Sequence, residues 1–330
     1  NIIIGGYRGL ALSSAVDCKV INNTFYNCIS IVEFPTINAP LCTSFQATFQ
    51  NCYGMIKNPK MITSPTLTKN FASIFQGCVS LKTFEYNTDF WTKQSSSYAS
   101  MFSGCNSLET IPDTIDTSGT ITVSGNNGMF QNCVSLEKAP MMDLSKSQNI
   151  TSIFGSCTSL KTVPSYTLGA AAQTGLNSIF TNCNSLTEIG IWTFTQNISL
   201  TSAAFQGCTS LLKAPDWDLS FATAVNLMFS ACVNLASIPE YNLAAISSAA
   251  SSINMFPNCY QLQKGKTTGL RYTITYQNCK LSRTALVDIF NGLGTAVGTQ
   301  SITITGNYGA ASLTAGERAI ATGKGWTIVG

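Results

Sequence analysis

The sequence predicts a repeat solenoid: short parallel β-strands alternating with short helical or turn segments, closed by a small α/β unit at the C-terminal end. Three observations predict it. A Phe-x-x-Cys unit recurs eleven times, the last copy carrying Tyr in place of Phe, with successive cysteines 20 to 28 residues apart. An apolar residue stands three positions after each of the first ten cysteines. After residue 265 the period breaks, and helix and strand patterns of another kind follow.

The repeat cysteines are Cys28, Cys52, Cys78, Cys105, Cys133, Cys157, Cys183, Cys208, Cys232, Cys259 and, in the degenerate copy, Cys279. The apolar positions that follow run from Ile31 and Met55 through Leu81, Leu108 and Leu136 to Leu262, and a proline often comes next, as at Pro112, Pro140 and Pro164. A unit this short cannot bury its own apolar face, so neighbouring copies must stack. The period falls in the range of about 20–29 residues of leucine-rich repeats, which makes a leucine-rich-repeat-like solenoid the expected fold. "SLETI" (107–111) and "SLKTV" (159–163) read as strands of one parallel sheet. "SIFGSC" (152–157) and "LMFSAC" (227–232) read as a short helical or turn segment on the opposite wall. Residues 1–265 are the expected solenoid, with about ten F-x-x-C-x-x-L rungs, and residues 266–330 hold the degenerate last rung and the capping unit.

The pattern F-x-x-C-x-S-L-x-x-[IV]-P, written out in "MFSGCNSLETIP" (101–112), resembles the BspA-like leucine-rich repeat. "DWDLSFATAVNLMFSACVNL" (216–235) resembles its lipoprotein-type variant. The resemblance runs over residues 18–265 and implies a place among bacterial surface, protozoan surface or phage structural proteins.

In the closing segment, "LSRTALVDIFNGLG" (281–294) reads as a helix with Ser282 as N-cap and Gly292 or Gly294 at its end. "SITITG" (301–306) reads as a strand. Residues 312–325 read as a helix opened by Thr314 with Glu317 three residues on, a capping-box spacing, and "WTIVG" (326–330) as a final strand. A distinct terminal unit is expected, because an open solenoid end exposes apolar core and unpaired strand edges. This segment resembles the C-terminal part of phage tail-fibre-like proteins, which implies a virion component.

Composition narrows the chemistry. Apolar residues make up 45% of the 330 and charged residues only 10%, so Ser, Thr, Asn and Gln must cover the surface. The net charge of +3 is spread without a Lys/Arg cluster, which points away from nucleic acid and anionic membranes. No apolar run approaches the roughly 18–20 residues of a membrane span. The opening "NIIIGGYRGLALSS" lacks the features of a signal peptide, and the absence of an initiator Met suggests a longer polypeptide that holds an anchor upstream. There is no histidine, which removes Ser-His-Asp and Cys-His catalysis and histidine metal sites.

The cysteine ladder is read as structural core: free Cys packs as a small hydrophobe, and Phe, Cys and Leu at three-residue intervals describe an inward stripe. Disulfides, metal binding and a catalytic thiol are the competing readings. Cys18 and Cys42, each ten residues before a ladder cysteine, are the best-placed pair for a bridge. No catalytic, cofactor-binding or metal-binding residue is assigned, and no cofactor is expected.

Six residues after the repeat Leu stands a second column, Met142, Tyr166, Trp192, Trp217 and Tyr241. Facing outward, Tyr166, Trp192, Trp217 and Tyr241 would form an aromatic strip for sugars or protein partners. Leu144, Leu168, Phe194, Leu219 and Leu243 lie two positions further on, and strand alternation turns both columns the same way, so an inward Leu column would take the rings into the core. The acidic residues, among them Asp116, Asp216 and Asp218, read as solvated surface, and "SGNNG" (124–128) as a polar turn.

These features predict a non-enzymatic phage virion protein, a fibre, receptor-binding or decoration component, assembled in the host cytoplasm. Its expected partners are other virion proteins and a host-surface receptor or glycan, with no nucleic acid and no membrane insertion, and a homo-oligomer is compatible. The second reading is a bacterial cell-surface adhesin for host matrix or glycans. The third is a glycan-degrading enzyme.

Overall fold

The computed structural model describes residues 19–64, 66–85, 95–115, 117, 126–147, 149–169, 176–194 and 197–330. They divide between two compact units, Asn1–Ala172 with Gly190–Thr195, and Gln173–Ile189 with Gln196–Gly330. Each unit is a β-solenoid: coils lie in register on one another, joined by single bridges and very short parallel strands.

In the first unit three ladders run along the stack. One bridges Val20 to Ser44 and Ser44 to Asn70, and continues where Lys69–Asn70 pairs with Ser95–Ser97. A second bridges Lys57, Thr83 and Thr110, and then Lys138 and Thr162. A third pairs Ile37–Asn38 with Met61–Ile62, Thr114–Ile115 with Met141–Met142, and Thr167–Leu168 with Thr193–Phe194. In the second unit Leu200 bridges Ala224, Lys213 bridges Ser237, Ser237 bridges Lys264, and Tyr241–Asn242 pairs with Thr267–Thr268. The strands stay short because turns and prolines interrupt them. Pro112, Pro140, Pro215 and Pro239 fall between the second and third ladders and carry no N–H to continue either.

The Phe-x-x-Cys segment is a turn and not a helix. In "SIFGSC" Ser152 and Ser156 have φ of 53° and 61°, and in "LMFSAC" Leu227 and Ala231 both have φ of 60°. Two left-handed residues four apart prevent the dihedrals of an α-helix from propagating. The position before the ladder cysteine is left-handed at Asn27, Asn51, Gly77, Gly104, Asn132, Ser156, Asn182, Gly207, Ala231, Asn258 and Asn278. Within the turn the Cys52 N–H donates to the Phe49 carbonyl at 3.2 Å. Alternate N–H groups leave the coil: Phe49 and Asn51 donate to the Ile74 and Gln76 carbonyls of the next coil at 2.9 and 2.8 Å.

This corrects the expected leucine-rich-repeat-like fold. Among the described residues no wall of helices stands opposite a wall of strands, and the two α-helices found there both lie in the C-terminal segment. Where that fold would wind a helix, this chain lays a flat, left-handed-kinked turn whose backbone bonds to the neighbouring coils.

The core is built from in-register columns. In the first unit Phe25, Phe49, Phe75, Phe102, Phe130 and Phe154 stack ring on ring, with centroids 5.3 to 5.8 Å apart. In the second unit Phe180, Phe205, Phe229, Phe256 and Tyr276 do the same at 5.0 to 6.0 Å. Met55, Leu81, Leu108, Leu136, Leu186, Leu211 and Leu262 are buried beside them. Polar columns are stacked as well. The Asn51 Oδ1 lies over Gly77, where an added Cβ would approach it to 2.3 Å at a φ of 74°. Asn182 and Gly207 repeat the arrangement in the second unit.

At the C-terminal end Ile274–Thr275, Gln300–Thr303 and Trp326–Val329 form a three-stranded parallel sheet. Helix α1 spans Arg283–Gly292, with the Ser282 hydroxyl accepting from the Ala285 N–H. Helix α2 spans Ala315–Thr322 and opens with the full Thr314–Glu317 capping box. The Lys324 ammonium donates to the Phe290, Asn291 and Leu293 carbonyls at 3.0, 2.7 and 2.7 Å, closing the C-terminal end of α1.

Candidate functional site

The cysteine ladder lies inside, and it is more than packing. Eight of the sulfurs sit against the backbone of the preceding coil and donate to the carbonyl of that coil's repeat Phe. Cys52, Cys78, Cys105, Cys133 and Cys157 donate to Phe25, Phe49, Phe75, Phe102 and Phe130 at 3.0 to 3.1 Å. Cys208, Cys232 and Cys259 donate to Phe180, Phe205 and Phe229 at 3.0 to 3.1 Å. Cys183 is buried in the same column, Cys279 is buried at its end, and Cys28 is half-buried at its start. Burial pushes the Cys52, Cys157, Cys232 and Cys279 thiols up to about 12. It also raises Cys78, Cys105, Cys133, Cys208 and Cys259. A nucleophilic or metal-binding cysteine needs its thiolate, and these environments suppress it. Cys42 is buried, and its suggested partner Cys18 lies outside the described residues.

The aromatic column also faces inward, which corrects its reading as a binding strip. Tyr166, Trp192, Trp217 and Tyr241 are 2%, 7%, 3% and 1% exposed. The strand alternation that buries Leu144, Leu168, Leu219 and Leu243 buries the rings with them. In the first unit the Tyr166 hydroxyl and the Trp192 indole N–H donate to the Pro140 and Pro164 carbonyls at 2.6 and 3.2 Å, and the two rings meet edge to face at 5.3 Å. In the second unit the Tyr241 hydroxyl donates to the Pro215 carbonyl at 2.5 Å, and Trp217 packs on Phe205 at 5.1 Å. Tyr166, Trp192 and Tyr241 suit this column because each buries a large ring while its polar tip finds a carbonyl one coil back. Burial raises the Tyr166 and Tyr241 hydroxyls accordingly.

The charged residues, scattered in sequence, form an ordered stripe. Lys57–Glu85, Lys82–Glu109, Lys138–Asp113 and Lys161–Glu137 pair across neighbouring coils of the first unit at 2.6, 3.3, 2.9 and 2.8 Å. Lys266–Glu240 does so in the second at 2.8 Å. The Lys138 ammonium, hydrogen-bonded to Asp113, holds that carboxyl below its ordinary value. Sequence reasoning missed these pairs. Their signal is opposite charges four to eight residues after successive ladder cysteines. Asp216 and Asp218 are exposed, and Asp218 accepts the Ser220 N–H at 2.9 Å, closing a local turn. Asp116 and the first two residues of "SGNNG" lie outside the described residues, and Asn126, Asn127 and Gly128 belong to a turn. Among the described residues no group of three or more metal-ligating side chains gathers, and no helix is long and apolar enough to cross a membrane.

What remains outward is mixed: polar side chains interspersed with exposed apolar ones such as Ile29, Ile191, Leu212 and Phe221, with open grooves between coils. In the first unit a groove of 730 Å³ is lined by Thr114, Met141, Asp143, Ser145, Ser165 and Thr167. In the second a groove of 320 Å³ runs past Thr187, Ile189, Leu212 and Pro215.

The model of one protein family, described as "Mycoplasma protein of unknown function, DUF285", matches residues 43–166 and 174–270, more than half of the chain. The chain belongs to the DUF285 family. The matched segments carry the repeat cysteines from Cys52 to Cys259. With a β-solenoid beneath it, this match replaces the resemblance to BspA-like leucine-rich repeats, and neither finding bears out the phage tail-fibre-like resemblance of the C-terminal segment, which lies beyond residue 270. No curated protein matches this DUF285 chain. Among solved structures, one described as "Crystal structure of TLR13-ssRNA13 complex" is similar at 13% identity and a TM-score of 0.25. The likeness covers 89% of this chain and 49% of that one, so the chain spans about half the length of that structure. The site geometry comes down to the outward surfaces of stacked coils and the grooves between them.

Proposed function

We propose that this chain is a non-enzymatic adhesion module displayed at a bacterial cell surface, where its coils present a hydroxyl- and amide-rich face to host matrix proteins or glycans. The observation that carries the reading is where each coil directs its reactive side chains. Thiols, tyrosine hydroxyls and most ion pairs are directed at the neighbouring coil: Cys133 to Phe102, Tyr166 to Pro140, Lys161 to Glu137. Chemistry spent on stacking leaves a stiff, repeating surface for recognition, with grooves such as the one beside Met141. The description of the DUF285 family names a bacterial genus, which favours a bacterial surface over a virion.

The test is binding of the purified protein to immobilised matrix proteins and glycans, beside protease treatment of intact cells that produce it. Saturable binding to one of these classes and cleavage on intact cells are expected. Absence of binding across the panel together with full protection inside cells would overturn the reading. Recovery of the chain in purified virus particles would restore the virion alternative.

A further inference from the structure

Stacking gives neighbouring ladder cysteines the spacing of a disulfide. In the first unit Phe25 and Asn27 donate their N–H groups to the Thr48 and Gln50 carbonyls, both at 2.9 Å, and the Phe25 and Phe49 rings stack at 5.3 Å. Cys28 and Cys52 therefore stand in register on adjacent coils, which parallel pairing holds roughly 5 Å apart. A disulfide spans Cα atoms about 4.4–6.8 Å apart. The two residues also converge on one oxygen. The Cys28 N–H and the Cys52 thiol both donate to the Phe25 carbonyl, at 3.2 and 3.0 Å. The Cys52 thiol lies within hydrogen-bonding reach of the Cys28 thiol.

The spacing recurs along the ladder, but access does not. Cys28 is the one ladder cysteine of the described residues that is not buried. Tyr26, Asn27, Ile29 and Ser30 around it are exposed, whereas buried Cys78 is flanked by half-buried Gly77 and Val79. A reagent in solution reaches Cys28, and behind it only Cys52 is within reach. Burial raises the Cys28 thiol, and the Cys52 thiol opposes that rise. Cys52 is pushed up to about 12, chiefly by burial. The exposed thiol therefore ionises first and attacks, and the buried one follows.

We propose that Cys28 and Cys52 form a thiol–disulfide exchange site, which takes a low-molecular-weight disulfide from solution and closes a bond between the first two described coils. The Cys28 thiolate attacks one sulfur of the reagent RSSR. A bond from Cys28 to that sulfur forms, the reagent's S–S bond breaks, and RS⁻ leaves. The Cys52 thiol gives its proton to RS⁻, and the resulting thiolate attacks the Cys28 sulfur. The Cys28–Cys52 bond forms, and the second RS⁻ leaves and takes up the proton that Cys28 had released. Two protein thiols lose two electrons and two protons, and one RSSR becomes two RSH. The Phe25 carbonyl loses the Cys52 donor but keeps the Cys28 N–H. This inference stands apart from the adhesion reading, since its readouts need no binding partner.

The fully reduced protein, folded and at about pH 8, is treated with oxidised glutathione, quenched in acid, alkylated in denaturant and mapped by mass spectrometry. Two ladder thiols per chain are expected to escape alkylation, both in one peptide linked through Cys28 and Cys52, while the other ladder cysteines are alkylated. The rate is expected to rise with pH, because each step needs a thiolate. C28S is expected to lose no ladder thiol. C52S is expected to stop at the mixed disulfide, with one glutathione on Cys28. If C52S does not fold, a Cys28–glutathione adduct that precedes the linked peptide in the wild type reports the same order of events. In the oxidised protein, amide exchange at Phe25 and Asn27 is expected to slow by about tenfold, because the bond ties their coil to the next. Oxidation spread along the ladder, a bond from Cys28 to any other cysteine, a wild type that stops at the glutathione adduct or does not react, or linkage that persists in C28S would overturn the proposal.

Discussion

At Cys133 the thiol donates to the Phe102 carbonyl of the coil before it, and that carbonyl also accepts the Cys105 N–H at 2.9 Å. Replacing Cys133 by Ala leaves the carbonyl with its backbone donor but opens a sulfur-sized gap in a fully buried column. The expected cost is about 1–2 kcal/mol, read from urea unfolding. Cys133→Val should cost at least as much, since the added methyl has no room and the donor is lost. Trp192 tests the neighbouring column. Its ring is buried and its indole N–H is bonded to Pro164, so Trp192→Ala should destabilise the fold by roughly 3–5 kcal/mol. A binding surface residue would instead lower ligand affinity and leave the melting temperature in place.

The turn is the element that sets the architecture. Two left-handed positions per coil, such as Ser73 and Gly77 around Phe75, flatten the chain and direct alternate N–H groups along the stack. Gly77→Ala meets both a left-handed backbone and the Asn51 Oδ1, and should cost roughly 1–3 kcal/mol in thermal or urea unfolding. Gly316 lies in open space within α2, and Gly316→Ala there should be neutral or stabilising. At the C-terminal end, Thr314 caps α2 and receives Glu317 in return, while Glu317 also takes Arg283 of α1 at 2.9 Å. The Thr314 N–H first, and then Arg283, hold the Glu317 carboxyl below its ordinary value. Thr314→Ala is expected to lower stability by about 1 kcal/mol, and amide exchange in the first turn of α2 should accelerate.

Across the whole molecule the thiol columns set a pH limit. An unfolded chain ionises its cysteines near their ordinary value of 9.0, whereas the folded chain keeps Cys52, Cys157 and Cys232 protonated up to about 12. Between those values the folded state binds more protons. Stability is therefore fully present below pH 9 and declines as the pH rises toward about 12, by roughly 1.4 kcal/mol per pH unit for each such thiol at the steepest. Buried Tyr166 and Tyr241 act in the same direction. The melting temperature should be flat from pH 7 to 8 and fall steeply above 9, with a shallower fall in a variant carrying C133A, C157A and C232A. A profile unaffected by the three replacements would show that the thiols are not the titrating groups.

The sequence by itself determined that the chain repeats, that the repeats must stack, and that Phe, Cys and Leu face inward. It also determined the caps at Ser282 and Thr314, because those depend on residue type and local spacing alone. The left-handed turn was half legible, since Asn or Gly stands before most ladder cysteines, a composition that favours positive φ. Only the tertiary structure decided between helix and turn on that wall, because the competing hydrogen-bond partners, such as Ile74 and Gln76 for Phe49 and Asn51, lie a full coil away. It alone placed Tyr166 and Trp192 inside, where carbonyls of the preceding coil meet their polar tips. It alone paired Lys57 with Glu85. These outcomes depend on which residues the stacking brings within a few ångströms, and separation along the chain does not encode that distance.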